Sequence, residues 1–197
     1  MISMRSWPVE VVLATGNRGK VREWERLLGD GAPVRLVLPS EVPPVEEDQD
    51  TYQGNALKKA RSFLAGQDRP VLAEDSGLEV VSLGMAPGVR SARVAGSDPE
   101  RIGWLLERLR GERDRRARFV CVAALAFPDG RSYTFRGELW GTIAERPMGD
   151  GGFGYDPVFM PLGLDVTLAQ VGALKDRISH RARAARRLVL ALPLVVE

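Results

Sequence analysis

The segment from Val9 to Gly29 constrains the fold most, because its hydrophobic period changes abruptly across one polar turn. Val9 to Ala14 is apolar with a single polar break, the pattern of a buried strand. Thr15 to Gly19 is polar and glycine-containing, and reads as a tight turn. From Lys20 to Leu28 the apolar residues Val21, Trp24, Leu27 and Leu28 fall at helical spacing, and Gly29 follows as a stop. A chain that opens strand, turn, helix must bury that strand in a sheet covered by the helix.

The remaining pattern extends this opening. Pro39 to Asp50 is a proline-containing acidic connector. Thr51 to Leu64 predicts a helix with Tyr52, Ala56, Ala60 and Phe63 on one stripe, and Gly66 near its end. Val71 to Ala73 predicts a short strand running into Glu74-Asp75-Ser76-Gly77, and Leu78 to Leu83 reads as extended. The loop Gly84 to Arg93 holds Pro87 and Gly88, and Pro99 to Leu109 predicts a helix with proline in its first turn. Phe119 to Phe127 and Arg131 to Trp140 read as strands joined by Pro128-Asp129-Gly130, a hairpin signal. A glycine-dense loop, Gly149 to Pro157, precedes a last helix over Ser179 to Leu192, with Ser179 as N-cap and Pro193 past its end. Early alternation of strands and helices, then a hairpin, predicts an α/β fold with a central mixed sheet flanked by helices. No repeat, low-complexity stretch or linker divides the chain, so residues 1–197 read as one domain.

Composition bounds the function. With 197 residues, 44% of them hydrophobic, the chain can build one sizeable core or one two-lobed domain. No apolar run reaches the roughly 20 residues that span a bilayer, and Met1 to Trp7 shows no leader-like apolar stretch. The single cysteine, Cys121, precludes an internal disulfide and lies in an apolar run as a small filler. These features predict a cytoplasmic protein without membrane partners. A net charge of +2 argues against a polycation built for nucleic acid. The charge is uneven, however. Lys175 to Arg187 holds six Lys or Arg and one acid, whereas Glu41 to Asp50 holds five acids and no base. Such a pair of surfaces suits a metal–polyphosphate ligand, although solvated faces would look the same.

Several segments carry chemistry. Thr15-Gly16-Asn17-Arg18-Gly19-Lys20 lies between strand and helix, where glycines admit a ligand to the backbone and a helix N-terminus offers free N–H groups. It is a phosphate-cradle design or an ordinary turn. It is not the P-loop pattern, since Ala14 and Val21 occupy the positions of its first Gly and its Ser/Thr. Asn55 and Lys59 share a helix face, which by itself reads as a solvated polar stripe. Glu74 and Asp75 end an apolar strand, where carboxylates often face a site. Magnesium takes one or two carboxylates plus substrate phosphates, and Glu46 or Glu47 could supply the second. A turn that uses Asp and Gly for backbone reasons is the alternative. In Gly151-Gly152-Phe153-Gly154-Tyr155-Asp156, Phe153 offers a face for a base to stack on, or the aromatics plug the core. Ser179-His180-Arg181 places hydrogen-bond donors at a helix start five residues after Lys175.

Taken together, the strings ATGNRGK, EDQDTYQGNALKKA, AEDSGLEV, PGVRSAR, GGFGYDPVF and LKDRISHRARA resemble, in order and spacing, the inosine triphosphate pyrophosphatases, also called XTP/dITP diphosphatases. The resemblance spans nearly the whole chain. It implies a mixed sheet with flanking helices, two lobes with an active-site cleft between them, a homodimer, and dependence on Mg2+. It further implies hydrolysis of dITP, ITP and XTP to the monophosphate and pyrophosphate, cleansing the nucleotide pool. By the same resemblance Thr15, Asn17 and Lys20 bind the triphosphate with Lys59; Gly16, Arg18 and Gly19 of the same turn are counted with them, Arg18 at a variable position. Asp75 accepts a proton and holds metal with Glu47, and Ser76 contacts substrate. Phe153, Gly154, Tyr155, Asp156, Lys175, His180 and Arg181 line the base pocket. Lys175 also joins Lys20 and Lys59 in neutralising phosphate. Departures are few: Glu74 stands where many members have Asp, Met85 and Ala86 replace a glycine-containing pair, and the segment Pro99 to Arg118 is unusually Arg-rich.

Two rivals make different demands. A Maf-like pyrophosphatase acting on dTTP or UTP would share the architecture, but the Ser179-His180-Arg181 element argues against it. A nucleic-acid binder would use the Arg-rich helices and show strong salt sensitivity, and the acids Glu47 and Asp75 argue against that.

Overall fold

The computed structural model of the chain describes residues 8–29 and 31–196. The expectation about a leader rests on Met1 to Trp7, which lie outside the described residues.

The order of elements is β1 (Val9–Leu13), α1 (Arg18–Leu27), β2 (Val34–Val37), α2 (Tyr52–Leu64), β3 (Val71–Val80), α3 (Asp98–Arg108), β4 (Arg116–Ala126), β5 (Ser132–Ile143), β6 (Phe159–Pro161), α4 (Lys175–Ile178) and α5 (His180–Val195). The strands form one six-stranded sheet in the order β2-β1-β3-β4-β5-β6. β1 pairs in parallel with β2 and with β3, through Val9↔Val34 and Val12↔Val71, while β5 and β6 run antiparallel through Thr142↔Met160. The sheet is therefore mixed and carries helices, as the sequence pattern predicts.

The chain falls into two compact units. One comprises Met1–Asp75, Val122–Arg136 and Arg183–Glu197; the other comprises Ser76–Cys121 and Gly137–Ala182. In the first, Val11, Leu13, Trp24, Ala56, Leu72, Leu125 and Leu188 are buried. In the second, Leu78, Val80, Leu105, Leu109, Phe119, Leu139, Val158 and Phe159 form a single apolar cluster. Cys121, the single cysteine, is buried and forms no internal disulfide. Among the described residues, no helix is long and apolar enough to cross a membrane.

Local chemistry explains where the elements depart from the sequence reading. α1 begins at Arg18, two residues early, because the Asn17 side chain caps it by accepting the Lys20 amide at 3.1 Å. α2 is capped by Thr51, whose Oγ1 accepts the Gly54 amide at 3.0 Å. α3 starts at Asp98 behind a capping box made by Ser97 and Glu100. β3 is one ten-residue strand, not two pieces around a turn: Glu74 and Asp75 are buried inside it. It ends at Val80, followed by a 3-10 turn over Val81–Leu83. Pro193 lies inside α5 instead of beyond it. Three short elements, β2, β6 and α4, have no counterpart in the sequence reading.

Candidate active site

In the first unit the site grows from three elements. At the β1–α1 junction, Thr15 Oγ1 accepts the Asn17 amide at 3.3 Å and Asn17 Oδ1 accepts the Lys20 amide at 3.1 Å, so the side-chain oxygens of both residues shape the turn. Gly16, Asn17 and Arg18 are exposed, whereas Gly19 is buried within α1. A Cβ added to Gly16 meets nothing within 4 Å. Internal packing therefore does not require glycine there, and the bare backbone is available to a ligand. One turn into α1, Lys20 Nζ pairs with Glu74 Oε1 at 2.9 Å, and the buried Trp24 donates its indole N–H to Glu74 Oε2, also at 2.9 Å. Both oxygens of this buried carboxylate are thus committed, and Lys20 is aimed by β3.

Next to Glu74, Asp75 is gripped from α2. Asn55 Nδ2 donates to Asp75 Oδ2 at 3.0 Å, and Lys59 Nζ lies 3.5 Å from Asp75 Oδ1. The same ammonium lies 2.7 Å from Glu47 Oε1 on the acidic connector. The polar-stripe reading of Asn55 and Lys59 is overturned: Asn55 is 0% exposed. Its Oδ1 also accepts the Gln49 amide at 3.0 Å, which docks the connector on the helix. Gly54 permits that approach, since a Cβ there would come within 2.9 Å of Gln49 Cβ. Of the two candidate acids, Glu47 reaches the cluster and Glu46 is exposed. Burial pushes the Asp75 carboxyl above the usual range. Lys59 opposes that rise, the Glu47 charge adds to it, and Asn55 and Lys20 pull it down.

Among the described residues, no three metal-binding side chains gather into one cluster. Glu47 and Asp75 nonetheless meet on one cation, the Lys59 ammonium. Two carboxylates that reach a common cation form a donor set that suits magnesium, which fills its remaining positions with water and substrate phosphate.

The second unit holds an aromatic and cationic cluster. Gly152 has φ +75°, and a Cβ there would fall 2.1 Å from Asp156 Oδ2, so the loop closes directly onto that carboxylate. Asp156 Oδ2 accepts the Phe153 amide at 2.8 Å and pairs with the buried Lys175 ammonium. Lys175 Nζ lies 5.0 Å, and the Arg181 guanidinium carbon 5.7 Å, from the Phe153 ring centroid. Arg181, only 1% exposed, also donates to Ser76 Oγ at 3.2 Å. His180 stacks on Phe119, with ring centroids 4.7 Å apart and 12° between planes. Ser179 Oγ accepts the Ala182 amide at 3.1 Å and starts α5 in the expected way. Tyr155 is the core plug of this loop. It is buried, and its hydroxyl donates to the Ser91 carbonyl at 2.9 Å.

The sequence-derived residues thus gather into two clusters: Thr15 to Lys20, Glu47, Lys59 and Asp75 in one unit, and Ser76, Phe153 to Asp156, Lys175, His180 and Arg181 in the other. Lys175, expected also to neutralise phosphate, is engaged with Asp156 beneath Phe153. Asn55 and Glu74 are positioning groups that the sequence reading does not assign. Their signal is an uncharged amide beside a lysine on one helix face, and an acid too deep in an apolar strand to be solvated.

The comparisons with known proteins cover nearly all of this chain. The dITP/XTP pyrophosphatase of Deinococcus deserti is 49% identical over 185 residues, covering 92% of this chain and 88% of its own. That of Symbiobacterium thermophilum is 48% identical over 192 residues, covering 95% and 96%. Among solved structures, a HAM1 protein from Coxiella burnetii superposes with TM-score 0.84 at 38% identity, covering 95% of this chain and 100% of its own. The Staphylococcus aureus Ham1 protein gives TM-score 0.82 at 39% identity, covering 93% and 98%. The family model described as the Ham1 family matches residues 11–191, and on these grounds the chain belongs to the Ham1 family.

Proposed function

We propose that this protein hydrolyses the purine nucleoside triphosphates dITP, ITP and XTP to the monophosphate and pyrophosphate, in a magnesium-dependent reaction. The observation that carries the proposal is the buried Asp75 carboxylate, fixed by Asn55 and Lys59 and joined to Glu47 through one ammonium. The names of the relatives, dITP/XTP pyrophosphatases, support the same reading and do not favour a dTTP- or UTP-specific enzyme.

Each residue has a role in this reading. The amides of Gly16 to Gly19, with Thr15, Asn17 and Arg18, receive phosphate oxygens at the N-terminus of α1. Lys20 and Lys59 offset the negative charge of the triphosphate, which lets a nucleophile approach a polyanion. Magnesium on Glu47 and Asp75 would add a further positive charge on the phosphate oxygens. Asp75 takes the proton from the attacking water; its buried position raises its basicity. Attack at the α-phosphorus expels pyrophosphate as one unit, with Ser76 contacting the substrate.

Discrimination follows from hydrogen-bond sense. Phe153 stacks on the purine, while Arg181 and His180 donate to the 6-carbonyl of hypoxanthine or xanthine. Adenine presents an amino group there, and a buried guanidinium would face a second donor, which a polar site rejects strongly. A panel of triphosphates with pyrophosphate detection tests substrate choice, expecting dITP, ITP and XTP far ahead of dATP and dTTP. Hydrolysis in 18O-water tests the site of attack: label belongs in the monophosphate, and label in pyrophosphate would refute this route. A homodimer and a cytoplasmic setting complete the proposal; light scattering in solution checks the first.

A further inference from the structure

The loop that carries Phe153 is held by a carboxylate outside all six sequence strings. Gly154 donates its amide to Asp98 Oδ2 at 2.7 Å, and Arg101 Nη1 holds Asp98 Oδ1 at 2.6 Å. Arg101 is itself fixed, since its Nε donates to the Ala95 carbonyl at 3.1 Å. Asp98 is the first residue of α3, where a carboxylate would ordinarily be explained as part of the helix cap. The hydrogen-bonded cap, however, belongs to its neighbours: the Ser97 side chain accepts the Glu100 amide, and the Glu100 carboxylate accepts the amides of Gly96 and Ser97, both at 3.0 Å. The capping-box hydrogen bonds of α3 are made without the Asp98 side chain, whose carboxylate reaches Arg101 and the loop amide of Gly154.

Two consecutive loop amides therefore end on two carboxylates, each held by its own cation. Phe153 N–H goes to Asp156, paired with Lys175, and Gly154 N–H goes to Asp98, paired with Arg101. Gly154 has φ +63°, and a Cβ there would meet nothing within 4 Å, so backbone conformation and not space requires glycine. Such a turn has little intrinsic preference for one shape, and its two anchors decide where the Phe153 ring lies relative to Arg181.

We infer that Asp98 is a positioning residue for purine recognition: through the Gly154 amide it sets the Phe153 ring against Arg181 and so sharpens discrimination between 6-carbonyl and 6-amino purines. The inference rests on the base-recognition role proposed above for Phe153 and Arg181.

Steady-state kinetics with dITP and dATP test it on wild type, Asp98→Ala and Asp98→Asn. Asp98→Ala is expected to raise KM for dITP about tenfold, a change of about 1.4 kcal/mol. The effect on kcat should be far smaller, and the weak turnover of dATP should change much less than that of dITP. Asp98→Asn keeps an oxygen for the Gly154 amide and is expected to recover most of the loss. The melting temperature of Asp98→Ala should stay within a few degrees of wild type, because the Ser97–Glu100 cap is intact. Equal losses on both nucleotides, or an Asn variant as impaired as the Ala variant, would overturn the inference. If wild type released no pyrophosphate from dITP, the functional reading would fall instead. Amide exchange over residues 151–158 would then still judge Asp98. Faster exchange in Asp98→Ala, confined to that segment, supports the positioning role, and unchanged exchange overturns it.

Discussion

Asp75 is kept where its own charge is unfavourable. Burial raises its carboxyl above the unfolded value, so the folded state holds the proton more tightly than the unfolded chain does. By linkage, stability falls as pH rises from the ordinary carboxylate range through the raised value, and the penalty is present above it. Asp75→Asn removes that penalty yet keeps an oxygen for the Asn55 amide. In chelator at neutral pH the variant should melt higher than wild type. It should also lose turnover while still binding nucleotide. Scanning fluorimetry in chelator, without and with nucleotide, measures melting and binding, and pyrophosphate release measures turnover; a lower melting point in chelator would sink the account. Tyr155 gives the same sign of pH dependence in an alkaline window. Burial pushes its hydroxyl up from 10.0 to about 12, so its contribution to stability is whole below 10.0 and is lost as pH rises towards about 12. Tyr155→Phe should flatten the fall in urea midpoint over that alkaline interval. At neutral pH it should cost about 1 kcal/mol through the lost hydrogen bond to Ser91.

At the scale of elements, the fold is legible in the sequence wherever a period runs long enough to outvote single residues. The α1 and α2 stripes and the β4–β5 hairpin show this, and the six strings give the order of the site segments. What escapes is decided by distant partners. β3 looks interrupted because Glu74 and Asp75 resemble a turn until Trp24 and Lys20 on α1, and Asn55 and Lys59 on α2, are known to receive them. β2 has only four residues, with Arg35 among them, so no alternation can emerge; its pairing with β1 defines it. Asn55 reads as solvated because a helix surface does not reveal which of its polar residues another segment will cover. Glycine tells the same story in two loops. Gly152→Ala would drive a Cβ onto Asp156 Oδ2 at a positive φ, a strain of about 1–3 kcal/mol. It should lower the melting temperature and raise KM for dITP together. Gly16→Ala meets no protein atom within 4 Å, so its melting temperature should match wild type while triphosphate binding weakens. A Gly16→Ala enzyme with unaltered KM would mean that phosphate does not approach that backbone.

For the molecule as a whole, the connectivity of the two compact units matters more than their sizes. The chain crosses from one unit to the other between Asp75 and Ser76, Cys121 and Val122, Arg136 and Gly137, and Ala182 and Arg183. Those crossings lie inside β3, β4, β5 and α5, and none falls in a loop. A unit that unfolded alone would have to end three strands and a helix in mid-element, leaving backbone donors and acceptors unpaired at each break. Separate unfolding therefore carries a penalty that a flexible linker would not impose, and the chain should melt as one cooperative system even though its apolar residues gather in two places. Calorimetry at neutral pH should show one transition, with a calorimetric enthalpy on the order of 140 kcal/mol near 60 °C for 197 residues. The van't Hoff enthalpy should agree with it. Two resolved transitions, each with roughly half that enthalpy, would show that the strands yield at the crossings and that the units fold independently.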